Sequence, residues 1–200
     1  PRDGGFMIDD NAGHILFIDR EKTVPHPAHF AIEERGLTTG RPFIAYPKEA
    51  HPTNQEQAVV EVGAGLGGFI PKLSQSHQGR LTVIDPFDYA LAREMLAFAQ
   101  QLPLNDWQQS CVEDLSERCD IYLNMRCVHL VNCPLEEALE REPSLTSSAD
   151  IVLDYFGAMQ YTFLGGQSEL RVKELERRML RPGGVLVTKP NGGFTQVTRK

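Results

Sequence analysis

The sequence lacks long apolar runs and has few cysteines. Among its 200 residues, no hydrophobic segment approaches the roughly 20 residues that a membrane-spanning helix requires. None of the four cysteines forms a Cys-x-x-Cys pair, and no histidine follows them at zinc-finger spacing. These absences predict that the chain has no membrane span and no bound metal, and that its thiols are reduced and mostly buried. The cysteines are Cys111, Cys119, Cys127 and Cys133.

Positive charge is also scarce. The chain has 20 Lys and Arg against 27 Asp and Glu, which gives a net charge of −7. Because phosphate backbones repel such a chain, nucleic acid is not expected as a partner. The N-terminus shows no basic segment followed by an apolar one, so no export signal is visible and a cytoplasmic location is expected. The sequence leaves the oligomeric state open.

The composition is that of a globular chain, and its texture changes near residue 50. Hydrophobic residues make up 41% and charged residues 24%, which is enough apolar material for a core. Residues 1–50 are predicted to be an N-terminal extension, and residues 51–200 the main domain. Apolar runs at 6–8 and 14–18 flank a turn-rich segment and predict a β-hairpin in the extension. A short helix is predicted near residues 29–35.

From residue 57 onward, short apolar strands alternate with helical patterns. Fully apolar strands that alternate with helices indicate a parallel sheet covered on both faces. The predicted fold class is therefore α/β, with a mostly parallel, doubly wound sheet and the hairpin extension. Strands are predicted at 58–62, 81–84, 128–131, 151–153 and 185–188, and helices at 69–75, 89–101, 134–142 and 168–180.

The first of these strands runs into a glycine-rich turn, in the sequence VVEVGAGLGGF at residues 59–69. In a doubly wound sheet, ligands bind beyond the carboxyl ends of the strands, where the strand order reverses. Gly63, Gly65 and Gly68 satisfy the pattern G-x-G-x-x-G, and Asp85 follows the second strand, where it can accept hydrogen bonds from a ribose. NAD, FAD and S-adenosylmethionine are all compatible with these features.

Glu61 helps to distinguish these cofactors. Its carboxylate precedes Gly63 by two positions and would repel the pyrophosphate of a dinucleotide. S-adenosylmethionine has no phosphate, and its sulfonium and ammonium groups tolerate a carboxylate. Glu61 therefore favours S-adenosylmethionine; the alternative is that its side chain faces away from the site.

Over residues 57–190, the order of the motifs resembles the class I S-adenosylmethionine-dependent methyltransferases. The first motif of that family, an acidic residue followed by G-x-G-x-G, and its acidic residue after the second strand both have counterparts here. An Ala-Arg pair, the fourth strand and a Leu-basic-Pro-Gly-Gly turn follow in the same order. The matching residues are Glu61, Gly63, Gly65, Gly67, Asp85, Ala92, Arg93 and the segments 149–154 and 180–184.

Two features depart from the family pattern. Residues 132–135, Asn-Cys-Pro-Leu, stand where the family often places an acidic residue against the adenine. The chain also ends soon after the fifth of the usual seven strands. We expect sequence beyond Lys200 to complete the domain; the alternative is that the N-terminal hairpin covers the open sheet edge.

The resemblance implies S-adenosyl-L-methionine as the cofactor of a Rossmann-like domain, and methyl transfer to a small-molecule or protein acceptor. Asp154 and Tyr161, which border the expected position of the methyl group, are the candidate catalytic residues. His129 is expected to be a core histidine rather than a base. Two alternatives stay open: an FAD- or NAD(P)-binding oxidoreductase domain, and a non-catalytic interaction module that retains the fold. The expected cofactor contacts are Glu61, Gly63, Ala64, Gly65, Gly67, Asp85, Pro86 and Asp154.

Overall fold

The computed structural model describes residues 46–104, 106–155, 157–161, 168–189 and 194–200, and the backbone of four strands between residues 4 and 37. In this part of the chain, no helix combines the length and the apolar character needed to cross a membrane. The chain divides into two units, and the domain boundary predicted at residue 50 stays a prediction. The first unit comprises Pro1–Ile44, Gly65–Pro71 and Phe87–Met125, and the second comprises Ala45–Ala64, Lys72–Pro86 and Arg126–Lys200.

The described regular structure consists of strands, α-helices and short 3-10 turns. The strands are β1 (Gly4–Asp9), β2 (His14–Asp19), β3 (Phe30–Glu33), β4 (Gly36–Leu37), β5 (Val59–Val62), β6 (Leu81–Ile84), β7 (Val128–Val131), β8 (Ala149–Asp154), β9 (Leu180–Thr188) and β10 (Gln196–Arg199). The helices are α1 (Phe69–Ser74), α2 (Tyr89–Ala99), α3 (Asp106–Asn124), α4 (Leu135–Arg141), α5 (Ala158–Tyr161) and α6 (Glu169–Met179).

The second unit contains a six-stranded sheet in the order β10-β9-β8-β5-β6-β7. Neighbouring strands from β7 to β9 are parallel, and only β10 is antiparallel to its neighbour β9. Val59 pairs with Leu81 on one side and with Ile151 on the other. The strand order therefore reverses between β5 and β8, which is the position where doubly wound sheets bind ligands. The predicted α/β fold with a mostly parallel sheet is confirmed.

An apolar cluster of buried side chains packs against one face of the sheet in the second unit. The strands contribute β-branched side chains that suit a pleated, buried surface, and α4 and α6 contribute one apolar face each. All four residues of β5 and of β6 are buried, as expected for a parallel strand with neighbours on both sides. The cluster includes Val60, Val62, Ile84, Val131, Leu135, Leu139, Val152, Met159, Val172, Leu175, Met179 and Leu186.

The end of the chain differs from the prediction. β9 begins at Leu180, and the predicted turn at residues 181–184 is an irregularity within this strand, since its pairing shifts from Ala149↔Leu180 to Ile151↔Val185. β10 was not predicted, because its residues are mostly exposed and carry little apolar signal. β10 pairs with β9, whereas β1–β4 form a separate four-stranded sheet. The alternative that the N-terminal hairpin covers the open sheet edge stays a prediction.

The first unit combines the four-stranded sheet β1-β2-β3-β4 with α2 and α3. β1 and β2 pair antiparallel, with Phe6 opposite Phe17. The predicted turn at 10–13 lies outside the described residues, so the hairpin as a whole stays a prediction. β3 occupies part of the segment in which a short helix was expected.

The long helix α3 was not predicted. It buries Val112, Leu115, Cys119 and Tyr122, which recur every three or four residues and so lie on one face of the helix. The thiol of Cys119 donates a hydrogen bond to the carbonyl of Tyr89 at the start of α2 (3.1 Å). The rings of Tyr89 and Tyr122 lie 4.8 Å apart, centroid to centroid. These contacts hold α2 and α3 together.

Candidate functional site

The backbone makes a close contact at the point where the strand order reverses. Gly63 follows β5 with φ = +67°, and a Cβ built on it would lie 2.1 Å from the Cα of Gly157. A Cβ on Gly157 would lie 2.1 Å from the carbonyl oxygen of Val62. Neither position can accept a side chain without moving backbone, so the chain after β8 passes directly against the chain after β5.

Asp85 lies at the carboxyl end of β6, one strand from Gly63. Its side chain is buried, with 5% of the residue exposed. Its backbone N–H donates to the carbonyl of Val131 (3.2 Å), and its carbonyl accepts a hydrogen bond from the side-chain amide of Asn132 (2.9 Å). Both hydrogen bonds therefore join the backbone of Asp85 to the end of β7. Pro86, the next residue, is exposed.

Glu61 is a buried acidic residue in the middle of β5, with 4% exposed. It pairs with Val83 of β6 and Leu153 of β8. Its neighbours Val60 and Val62 both point into the apolar cluster, so the Glu61 side chain lies on the other face of the sheet. Its expected cofactor contact stays a prediction, as do those of Asp85 and Pro86.

The boundary between the two units falls between Ala64, which is buried, and Gly65. In the first unit, three successive carbonyls of the glycine turn accept hydrogen bonds from side chains of α2 and α3. The hydroxyl of Tyr89 donates to Gly65 (2.9 Å), the guanidinium of Arg118 to Leu66 (3.1 Å), and the hydroxyl of Tyr122 to Gly67 (2.8 Å). Sequence analysis missed all three donors.

Gly68 has a different role from Gly63. A Cβ built on Gly68 would lie 3.3 Å from the Cζ atom of Arg118, so the absence of a side chain lets the guanidinium pack against the turn. Arg118 is buried and also pairs with Asp114, one turn earlier in α3. The glycine motif thus combines a backbone contact at Gly63 with a guanidinium contact at Gly68.

Asp154, a predicted cofactor and catalytic residue, ends β8 and has no exposed surface. One carboxylate oxygen accepts the N–H of Gly157 (2.9 Å) and the other that of Met159 (2.8 Å). The carboxylate therefore fixes the turn that leads into α5. The catalytic role of Asp154 stays a prediction, and so does that of Tyr161, whose backbone ends α5 but whose side chain lies outside the described part of the chain.

Glu176 of α6, also completely buried, faces Asp154. Burial, followed by the charge of Asp154, raises the pKa of Glu176 well above its ordinary range. Burial also raises the pKa of Asp154, but the neighbouring Glu176 and the hydrogen bonds from the two backbone N–H groups oppose that rise. Because Asp154 accepts two backbone N–H groups, its charged form is favoured, and the rise in pKa falls mainly on Glu176.

A small aromatic cluster lies at the carboxyl ends of β8 and β9. The ring of Tyr155 lies 5.2 Å from that of Tyr46, and the ammonium group of Lys189 lies 5.1 Å from the Tyr155 ring centroid. The hydroxyls of Tyr155 and Thr195 share a hydrogen bond (3.1 Å). These residues were not identified from the sequence, because they come from separate segments of the chain.

The structure corrects the interpretation of His129. The residue is exposed, and its Nε2 lies 2.6 Å from the carboxylate of Glu142. The expectation of a core histidine is wrong, because β7 is an edge strand and presents this side chain to solvent. Among the described cysteines, Cys119 and Cys133 are buried and Cys127 is exposed. The described residues contain no group of three metal-ligating side chains suited to a metal ion.

No protein-family model and no curated protein matches the chain. Solved structures that resemble it include a proposed S-adenosyl-L-methionine-dependent methyltransferase from Methanococcus maripaludis, with TM-score 0.42, 10% identity and coverage of 68% of this chain and 49% of that one. A proposed transferase from Pyrococcus horikoshii has TM-score 0.38 and 10% identity, over 94% of this chain and 53% of that one. TYW2 from Pyrococcus horikoshii, in complex with MeSAdo, has TM-score 0.37 and 12% identity, over 94% and 52%. The chain spans about half the length of these structures.

Proposed function

We propose that the chain binds S-adenosyl-L-methionine and transfers its methyl group to a small-molecule or protein acceptor. The observation that carries this proposal is the arrangement at the reversal of strand order. There, Gly63 follows β5 with a positive φ, Gly157 closes against it, and the buried Asp85 ends the next strand. This is the position at which doubly wound sheets hold a nucleoside, and we propose that the carboxylate at the end of β6 accepts hydrogen bonds from the ribose hydroxyls.

The charges of the second unit fit a cationic cofactor better than a diphosphate. Glu61 and Asp85 are both buried acidic residues on the two strands that meet beside Gly63. The two carboxylates would repel a diphosphate bound there, because a buried environment screens charges poorly. The sulfonium and ammonium groups of S-adenosylmethionine would be attracted. The chemistry of these side chains therefore supports S-adenosylmethionine over NAD or FAD.

When bound, the cofactor would supply an electrophilic methyl group on its sulfonium sulfur for direct displacement by the acceptor atom. The contribution of the chain is to bind and orient the two molecules. Asp154 holds the turn after β8 through Gly157 and Met159, and Tyr155 and Lys189 lie at the ends of β8 and β9. We propose that the acceptor binds beside this turn.

A panel of ligands tests the proposal. Thermal unfolding is measured with S-adenosylmethionine, S-adenosylhomocysteine, NAD, NADP and FAD, because a ligand that binds only the folded chain raises the unfolding midpoint. We expect the first two to raise it and the other three to leave it unchanged. A shift with NAD, NADP or FAD alone would support an oxidoreductase domain instead. A chain stabilised by none of the five would favour the non-catalytic interaction module.

A further inference from the structure

We propose that Tyr89, Arg118 and Tyr122 are positioning residues, which hold the glycine turn in the conformation that binds the cofactor. This inference rests on the proposed function. Its basis is that the carbonyls of three consecutive residues each accept a hydrogen bond from a different side chain of α2 or α3, at 2.8–3.1 Å. About two-thirds of the hydrogen bonds in a folded protein join backbone to backbone, whereas here three successive backbone carbonyls are bound by side chains.

Holding these carbonyls also fixes the direction of the backbone N–H groups. A trans peptide is planar, and its C=O and N–H bonds point in opposite directions. Because the carbonyls of Gly65, Leu66 and Gly67 point at α2 and α3, the N–H groups of residues 66, 67 and 68 point away from these helices. Backbone N–H groups aligned in this way are the donors with which glycine turns hold nucleotide-like ligands.

The three donors are themselves firmly held. Arg118 and Tyr122 lie one helical turn apart on α3, and so on the same face of that helix. Asp114 pairs with the Arg118 guanidinium through two hydrogen bonds, one of them from Nε to Oδ1 (3.2 Å). A buried guanidinium requires such a partner, because an unpaired charge in the interior is strongly unfavourable. The ring of Tyr122 contacts that of Tyr89, which packs edge-on against Phe87 (5.0 Å).

A turn fixed in advance loses less conformational entropy when a ligand binds. Glycine-rich segments are the most flexible in an unrestrained chain, so their ordering would otherwise oppose binding. The hydrogen bonds from α2 and α3 order the turn when the chain folds. Less of the interaction energy with the cofactor is then lost to ordering the turn, and the affinity is higher. Removal of one donor should therefore weaken cofactor binding even though none of the three side chains needs to touch the cofactor.

The experiment compares Tyr122→Phe, Arg118→Met and Arg118→Lys with the unmodified chain. Calorimetry gives the affinity for S-adenosylhomocysteine, and amide hydrogen exchange follows residues 65–68 in the ligand-free protein. We expect Tyr122→Phe to lower the affinity roughly 3- to 10-fold, the effect of one lost hydrogen bond. Arg118→Met should lower it further and speed exchange at the turn. Arg118→Lys, which keeps a cationic donor, should recover part of both.

Arg141→Met is the control for the loss of an ion pair within a helix, since the exposed Arg141 pairs with Glu137 one turn earlier on α4. All variants are compared at a temperature where urea unfolding shows each to be folded. If the unmodified chain binds and no variant binds more weakly than Arg141→Met, the inference is overturned and the proposed function stands. If the unmodified chain binds neither S-adenosylmethionine nor S-adenosylhomocysteine, the proposed function is overturned, and this inference with it.

Discussion

Gly63 and Gly157 touch through their backbones, with only 2.1 Å between a Cβ built on Gly63 and the Cα of Gly157. The contact joins the chain after the first strand of the parallel sheet to the chain after the fourth. Gly157 is also held by Asp154, which accepts its N–H. The turn after β8 is therefore held in two ways, by the close contact of Gly157 with Gly63 and by its hydrogen bond to Asp154.

We expect Gly157→Ala to destabilise the fold by about 3 kcal/mol or more, since the new methyl group would meet backbone that cannot move aside. Gly183→Ala is the matched comparison. Gly183 has φ = +80° but no atom within 4 Å of a built Cβ, so its replacement should cost about 1–2 kcal/mol, the strain of a left-handed residue. Urea unfolding measures both. A loss at Gly157 no larger than the loss at Gly183 would show that the surrounding backbone moves aside for the new methyl group.

Asp85→Ala tests the ribose contact. If the carboxylate accepts two ribose hydroxyls, its removal should weaken binding of S-adenosylmethionine by about 2–4 kcal/mol, as expected for charge-assisted hydrogen bonds. Calorimetry measures the affinity. Asp120→Ala removes an exposed carboxylate that pairs with Arg93 on the surface, and should leave affinity unchanged. An Asp85→Ala chain that binds as tightly as the unmodified one would exclude Asp85 as the ribose ligand.

The sheet was predictable because its strands are buried and apolar. β7 has the bounds predicted, Val128–Val131, and α4 and α6 lie within one residue of theirs at each end. In these segments, the hydrophobic period and the turn residues point to the same structure. The helix α3 was missed although residues 112, 115, 119 and 122 have helical spacing, because two of the four are cysteine and tyrosine rather than aliphatic residues.

The candidate site was only partly predictable. A glycine motif identifies the turn, but not which atoms surround each glycine. The approach of Gly157 to Gly63 depends on a segment 94 positions later in the chain, and the contact of Arg118 with Gly68 depends on a helix that was not predicted. His129 was misjudged because an apolar strand sequence does not reveal which strand lies at the edge of the sheet.

The described cysteines should differ in reactivity. Burial, followed by the charge of Asp120, raises the pKa of Cys119 to about 12, and burial raises the pKa of Cys133. A thiol reacts through its thiolate, so iodoacetamide at pH 8 should label the exposed Cys127 first. Mass spectrometry of peptides measures each site. Labelling of Cys119 or Cys133 at the rate of Cys127 in the folded chain would contradict their burial.

Glu176 should make stability depend on pH. A buried carboxyl group with a raised pKa binds its proton more tightly in the folded chain than in the unfolded one. Its contribution to stability is fully present below the ordinary value of 4.5 and is lost as pH rises toward the raised pKa. Glu176→Gln keeps the size and a donor for Asp154 but cannot lose a proton. The variant should therefore become more stable, relative to the unmodified chain, as pH rises.

The difference in stability between Glu176→Gln and the unmodified chain can change with pH only at a limited rate, because a single site is involved. Where the folded chain binds one proton more than the unfolded chain, the free energy of unfolding changes by about 1.4 kcal/mol per pH unit. Asp154 and Glu176 interact directly, so the midpoint of the pH dependence will belong to the pair rather than to either residue. The charge of Lys173, on the same helix as Glu176, lowers the pKa of Glu176. Urea unfolding from pH 5 to pH 8 measures the difference in stability. The control for the loss of one carboxylate is Glu174→Gln, at an exposed position of α6. A difference between Glu176→Gln and the unmodified chain that stays constant over this range would mean that Glu176 is ionised in the folded chain, and that Asp154 tolerates a second negative charge beside it.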